Sequence, residues 1–396
     1  MTRTSPLPTE GNQTPERRER IIALDLLRGL MVALMVLDHT REYFSAQALQ
    51  FDPLDIAMTS AWLFATRWIT HLCAPTFVFL AGASVHLQRA AGKSEGTVRR
   101  LLLTRGLWLI LLEVTLIGFA FNFGEPFLFL QVIWAIGVGM VLLAAFVRLP
   151  HAAVGMLGAV AIAITPWLTA HMQPLLPGPV WHVLLVPGSV APLPGVAVYP
   201  VVPWFGILAL GYAGGPLLCC TDEMLRRRAL IAGAALLACF ALLRTAGIGD
   251  IRAGGVGPTP VLRLLTHIDI SKYPPSVQYV VLTLGVSALL LAGLTLVRPS
   301  RLPMLHAFGS APFFTYVLHI YLVHGLALLT GLALGVPASA FTHFIEGTQA
   351  LRDADWGFGL PTVYLFWLAV LLILRPLAIR FAAVKRRRGR WWLSYL

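Results

Sequence analysis

The chain has 396 residues, of which 57% are hydrophobic and only 12% charged, with a formal net charge of +12. Soluble domains carry about 25% charged residues, so the composition excludes an ordinary soluble enzyme and describes an integral membrane protein. The positive excess sits in short segments beside apolar runs, which speaks against nucleic acid as a partner and for membrane topology.

Residues 1–20 are polar and predict a disordered cytoplasmic leader; the apolar run that follows is too long for a signal peptide. Ten apolar runs of spanning length come next, at 21–42, 62–88, 101–121, 127–147, 151–170, 200–218, 228–247, 276–297, 311–334 and 361–382. They predict an all-α polytopic fold, one transmembrane domain over 21–384 with a basic tail at 385–396. An even number of spans puts both termini on one side. Arg17, Arg18 and Arg20 at one end, and Lys385 and Arg386 at the other, put that side in the cytoplasm. Arg89, Lys93, Arg99 and Arg100, then Arg148, Arg226 to Arg228, Arg298 and Arg301, fall in connections predicted to face the same way. The opposite connections are longer: 43–61, 171–199, 248–275 and 335–360, the last holding His343 and Glu346. Such loops are usually functional or mobile. Cys73, Cys219, Cys220 and Cys239 lack metal-ligand spacing, so neither a disulfide framework nor a metal is expected.

The first span, IIALDLLRGLMVALMVLDHTREYF, carries Asp25, Arg28, Asp38 and His39. An ionisable group at membrane depth is costly unless paired or facing a wet cavity, and marks a candidate functional site. Arg28 and His39 are eleven positions apart, which at about 100° per residue puts them on one helical face, roughly 16 Å apart along the axis. A polar track through the membrane is predicted. His39, with an ordinary pKa of about 6.5, suits proton removal from an amine or hydroxyl; the bland alternative is a histidine bonding between helices.

In the second span, Arg67 and His71 are four apart on one face, and Pro75 removes the donor that would hold the His71 carbonyl. Glu113 lies within the third span and is expected to pair with Arg28 or Arg105. Tyr199-Pro200-Val201-Val202-Pro203-Trp204 reads as an interfacial aromatic belt with helix-start prolines. Before the eighth span, Ser276 is a candidate cap, whereas capping leaves Lys272 and Tyr273 unexplained. His319 and His324, five apart, point about 140° from each other, and His319 is the better inward candidate.

Leu24-Asp25-Leu26-Leu27-Arg28-Gly29 with Met35-Val36-Leu37-Asp38-His39 resembles the first segment of the membrane-bound acyltransferase superfamily, with the arginine-to-histidine spacing of the acyltransferase-3 branch. Ala74-Pro75-Thr76-Phe77-Val78-Phe79-Leu80-Ala81-Gly82, Pro203-Trp204-Phe205-Gly206 and Lys272-Tyr273-Pro274-Pro275-Ser276 resemble bacterial relatives of heparan-alpha-glucosaminide N-acetyltransferase. The resemblance implies an acyltransferase of the bacterial inner membrane that moves acetyl, or another acyl group, from cytoplasmic acyl-CoA to a hydroxyl or amine of an envelope sugar or glycan.

On that basis His39 is the expected base or acyl relay, with Asp38, His71 and Arg67 orienting it or stabilising an oxyanion. Arg28, Asp25 and Glu113 are the expected donor site, and Lys272, Tyr273 and His319 the acceptor site. A homo-oligomer is compatible with the sequence. Two other readings stay open: a transporter or flippase of a lipid-linked or small anionic substrate, disfavoured by the lack of an internal repeat, and an inactive scaffold or sensor.

Overall fold

The computed structural model describes residues 22–252, 254–342 and 348–387. The expected leader at 1–20, His343, Glu346 and the tail beyond Arg387 lie outside the described residues. The structure is 75% helical. Helix α1 is Ile22–Phe44. The second span is a broken rod, α2 (Ala61–Ile69), a 3-10 turn (Thr70–Leu72) and α3 (Cys73–Ala90). The third is α4 (Glu95–Leu112), a π turn (Glu113–Ile117) and α5 (Gly118–Asn122). Then come α6 (Val132–Phe146), α7 (His151–Met172), α8 (Val201–Gly214), α9 (Asp222–Ala246) and α10 (Val277–Leu294), followed by α11 (Pro303–Ser310), α12 (Pro312–Ala333) and α13 (Leu360–Arg387).

Eight of these spans are long and apolar enough to cross a membrane. Two more coincide with expected spans for different reasons. Helix α1 has the length but carries Asp25, Arg28, Asp38, Arg41 and Glu42. Helix α6 has 15 residues, about 22 Å, short of a hydrocarbon core of about 30 Å. Ahead of it, strand β1 (Leu128–Leu130) pairs in parallel with β3 (Gly195–Ala197), which pairs antiparallel with β2 (Gly188–Ser189). The pairing satisfies backbone groups that a helix would have satisfied internally, as apolar surroundings require.

Helix α1 is the axis of the molecule: 19 of its 23 residues are buried, Asp25, Asp38 and Arg41 among them, so these charges face protein rather than lipid. Helix α9 is the opposite case, with only Leu225, Ala229 and Gly233 buried, the pattern of a span facing lipid. Ser276 caps α10 as expected, its hydroxyl accepting from the Tyr279 amide at 2.9 Å.

Helices α3 and α8 cross backbone to backbone. A Cβ at Gly82 would run into the Leu208 carbonyl, and one at Gly211 into the Phe79 carbonyl. Small residues allow this approach, which apolar solvent does nothing to drive. Gly82→Ala is expected to destabilise the purified protein by about 1–3 kcal/mol, because the obstructing group is main chain and cannot change rotamer. An unfolding midpoint in detergent equal to that of the unmodified protein would show that the crossing is loose.

Candidate active site

Asp38 sits nearly two turns from the end of α1, and Arg41 Nη2 donates to its Oδ1 at 2.9 Å. From the broken rod, Arg67 Nη1 lies 3.2 Å from both carboxylate oxygens, and the Thr70 hydroxyl lies 2.9 Å from Oδ1. The carboxylate therefore ties α1 to the 3-10 turn between two guanidiniums. It is bonded to Arg41, Arg67 and Thr70 rather than to His39, so the expectation that Asp38 and Arg67 orient the imidazole directly is not what the geometry delivers.

The partner of His39 is His319 on α12, with Nδ1 of the first 2.8 Å from Nε2 of the second and the rings parallel within 3°. The other nitrogen of His319, Nδ1, lies 3.2 Å from the Thr315 carbonyl. A carbonyl only accepts, so His319 carries its proton on Nδ1, and its neutral Nε2 accepts in turn. His39 then donates from Nδ1 and keeps a lone pair on Nε2, for which the described residues offer no hydrogen-bond partner. Phe121 packs edge-on against the His39 ring at 5.1 Å. His324 takes the other direction: its nitrogens face the Ala120 and Phe341 carbonyls, each at 2.9 Å, as the rotation between the two histidines predicts.

His71 lies in the 3-10 turn, 1% exposed, with no hydrogen bond to either ring nitrogen among the described residues. Its carbonyl, freed by Pro75, accepts from the Tyr279 hydroxyl at 3.0 Å. Lys272 is 7% exposed and within electrostatic reach of Asp38, His39 and His71. Its ammonium lies 4.9 Å from the Tyr273 ring centre and 5.7 Å from that of Tyr199. The rings of Tyr199 and the fully buried Trp204 pack tilted at 4.5 Å, so both lie inside the protein and do not form the expected interfacial belt. The connection bearing Lys272 is pinned by Arg244, which donates to the carbonyls of Thr266 (2.6 Å), Asp269 (2.9 Å) and Arg252 (2.7 Å). Burial holds the Asp269 carboxyl above its ordinary range, even with the Arg252 guanidinium at 2.8 Å.

At the other end of α1, Arg28 Nη1 is 3.3 Å from Asp25 Oδ1. Arg28 and Arg105 of α4 line a cavity of about 140 Å³ that extends to Met35 and Tyr316. Met35 is one turn from His39, and the Tyr316 ring is 5.5 Å from that of His319. The walls between are apolar, among them Phe77, Leu109 and Ile136. The expected polar track is thus charged at the Arg28 end, apolar along its length, and leads toward a pair of neutral imidazoles.

Glu113 does not reach Arg28. Its Oε1 accepts from the amide of Gln131 at 2.6 Å, while Oε2 is buried with no hydrogen-bond partner among the described residues. The open N–H groups at the start of α6, and the positive end of its dipole, are what a buried carboxylate finds there. Arg41, Thr70, Tyr279, Tyr199 and Trp204 join the site without having been singled out for it by their spacing. Trp204 stood in one of the runs that carry the family resemblance; for the others the advance signal was polar or aromatic chemistry beside an apolar run.

The catalytic-domain model of heparan-alpha-glucosaminide N-acetyltransferase matches residues 20–247. No curated protein matches the chain. The matched region takes in α1 with Arg28 and His39 and the broken rod with Arg67 and His71, and lies short of Lys272 and His319. With more than half of its length matched, this chain belongs to the heparan-alpha-glucosaminide N-acetyltransferase catalytic family of membrane N-acetyltransferases.

Proposed function

We propose that the protein transfers an acetyl group, or a related acyl group, from cytoplasmic acyl-CoA to a hydroxyl or amine of an envelope sugar or glycan. It works as one domain over 21–384, in a cell membrane of the bacterial inner-membrane type with both termini in the cytoplasm; the basic connections support that orientation. The observation that carries the reading is the His39–His319 pair, which leaves His39 Nε2 basic one turn above a cavity with guanidiniums at its far end.

Arg28, held by Asp25, and Arg105 neutralise the donor's phosphates, while the apolar walls suit the uncharged part of its arm. His39 Nε2 takes the proton as the acceptor oxygen or nitrogen attacks the acyl carbonyl. Collapse of the tetrahedral intermediate breaks the thioester C–S bond, and the proton passes from His39 to the departing sulfur, leaving acylated acceptor and free CoA. His319 positions His39 in this scheme, a change from acceptor binding. Lys272 and Tyr273 hold the acceptor, and His71 with Lys272 faces the charge that develops on the carbonyl oxygen. Glu113 has no part in donor binding.

Acetyl-CoA at about 100 times its Kd should stabilise the purified chain by about 2.7 kcal/mol, read as a higher unfolding midpoint. Arg28→Gln should lower that shift at the same concentration. The absence of any shift at millimolar acetyl-CoA would remove the donor from the reading, and movement of a substrate across vesicles without CoA release would favour a transporter.

A further inference from the structure

A second cavity, of about 440 Å³, opens where the ends of α3, α6, α7 and α8 meet, and shares no lining residue with the Arg28 cavity. It is lined by His86, Arg89, Arg148, His151 and Tyr212, and no carboxylate is among its walls. We propose that this cup is a binding site for a phosphate ester, separate from the site of acyl transfer.

Arg89 is built in rather than loose. Its Nη1 donates to the Val147 carbonyl at 2.7 Å and to the hydroxyl of the buried Tyr212. Its Nε and Nη2 have no partner among the described residues, so the guanidinium is fixed with donors to spare. His86 Nδ1 is buried with no hydrogen-bond partner, and its ring meets that of His151 edge-on at 5.7 Å. Arg148 uses Nε on Glu95 at 2.6 Å and keeps the rest of its fork exposed. Helix α7 also starts here without a side-chain cap, because its N-cap is Pro150, so its first N–H groups and positive dipole end face the same rim.

Glu95 pairs with Arg148 from outside the lining, but the void itself is ringed by basic groups with no carboxylate among its described walls, and these repel one another. An oxyanion with several acceptor oxygens relieves the repulsion and fills the vacant donors at once. The cup lies at the end of the bundle where the basic connections cluster. On the cytoplasmic side two sources supply this chemistry, a soluble phosphate ester and an anionic lipid headgroup.

The test uses the full chain and two arms. Inorganic pyrophosphate is titrated against the detergent-purified protein at ionic strength held constant with KCl, and binding is read from the unfolding midpoint. In the second arm the protein is reconstituted in phosphatidylcholine vesicles containing about one-fifth phosphatidylglycerol, re-extracted, and its retained phosphatidylglycerol counted by mass spectrometry. Arg148→Gln/His151→Ala is the probe variant, since both residues are exposed and outside the packing; its unliganded midpoint reports folding. Arg89→Gln is the second variant. We expect pyrophosphate to bind at least about tenfold more weakly, or phosphatidylglycerol to be lost, in both variants. The arm that responds identifies the source. No binding in either arm by the unmodified protein, or binding unchanged in both variants, overturns the proposal. The outcome is independent of acetyl-CoA binding at Arg28.

Discussion

Replacing His39 by alanine is expected to lower acetyl-CoA turnover by about 10²–10⁴-fold, the ordinary contribution of a positioned general base. The protein should also lose about 1–3 kcal/mol of stability, because the fully buried His319 is left without the partner of its Nε2. The more discriminating variant is His319→Leu. It leaves the base in place and removes the acceptor that holds the His39 proton on Nδ1, so His39 is free to adopt the tautomer whose Nε2 carries the proton. We expect about a tenfold loss in kcat, near 1.4 kcal/mol of transition-state stabilisation, with KM for acetyl-CoA unchanged because Arg28 and Arg105 are untouched. His319→Gln, which can still present an oxygen acceptor to Nδ1–H, should recover part of the loss. Turnover by His39→Ala equal to that of the unmodified chain would take His39 out of the mechanism. A burst of CoA release without any acceptor would instead favour an acyl-His39 intermediate over direct transfer.

The charged face of α1 was legible because charge in an apolar span is expensive, so Asp25, Arg28, Asp38 and His39 announced themselves. Their partners were another matter. His39 and His319 are separated by 280 positions, and no local periodicity connects them; helical rotation could only prefer His319 over His324. Glu113 was misjudged for a related reason. A carboxylate in a span suggests a guanidinium, yet its partner is the backbone amide of Gln131 at the start of α6, and an amide carries no side-chain signature. The His71 carbonyl shows both halves of the problem, since Pro75 reveals that it is free while only the fold reveals that Tyr279 fills it. Tyr199 and Trp204 have the composition of a membrane interface, yet both lie inside, where Trp204 packs between the rings of Tyr199 and Tyr279 and Tyr199 faces the Lys272 ammonium. Eight of the ten expected spans coincide with helices long and apolar enough to cross a membrane, as hydropathy indicated. The breaks within them, a 3-10 turn at Thr70–Leu72 and a π turn at Glu113–Ile117, were not readable from it, because each is stabilised by groups distant in sequence.

Asp38→Ala is expected to be the most destabilising single change at the site, by about 3–5 kcal/mol. Arg41 is 3% exposed and the Arg67 side chain 12%, so removing the carboxylate strips Arg67 of its counter-charge away from water and leaves Arg41 with only Glu42 Oε1 at 3.7 Å. The Thr70 hydroxyl loses a partner at the same time. Asp38→Asn keeps the shape without the charge and should fall between. The second guanidinium makes the interpretation testable. If repulsion between Arg41 and Arg67 is what the carboxylate suppresses, Arg67→Gln in the Asp38→Asn background should recover stability, by a coupling of about 0.5–3 kcal/mol. Denaturant unfolding of the four proteins in detergent gives that coupling directly. Additive losses would mean that Asp38 acts on each arginine separately, and the 3-10 turn would then be held to α1 by packing rather than by charge. Turnover separates the structural from the chemical consequence. Because Asp38 anchors the turn that carries His71, Asp38→Asn should lower kcat while the acetyl-CoA shift at Arg28 persists. A variant that loses both together has lost the fold of α1 against the broken rod.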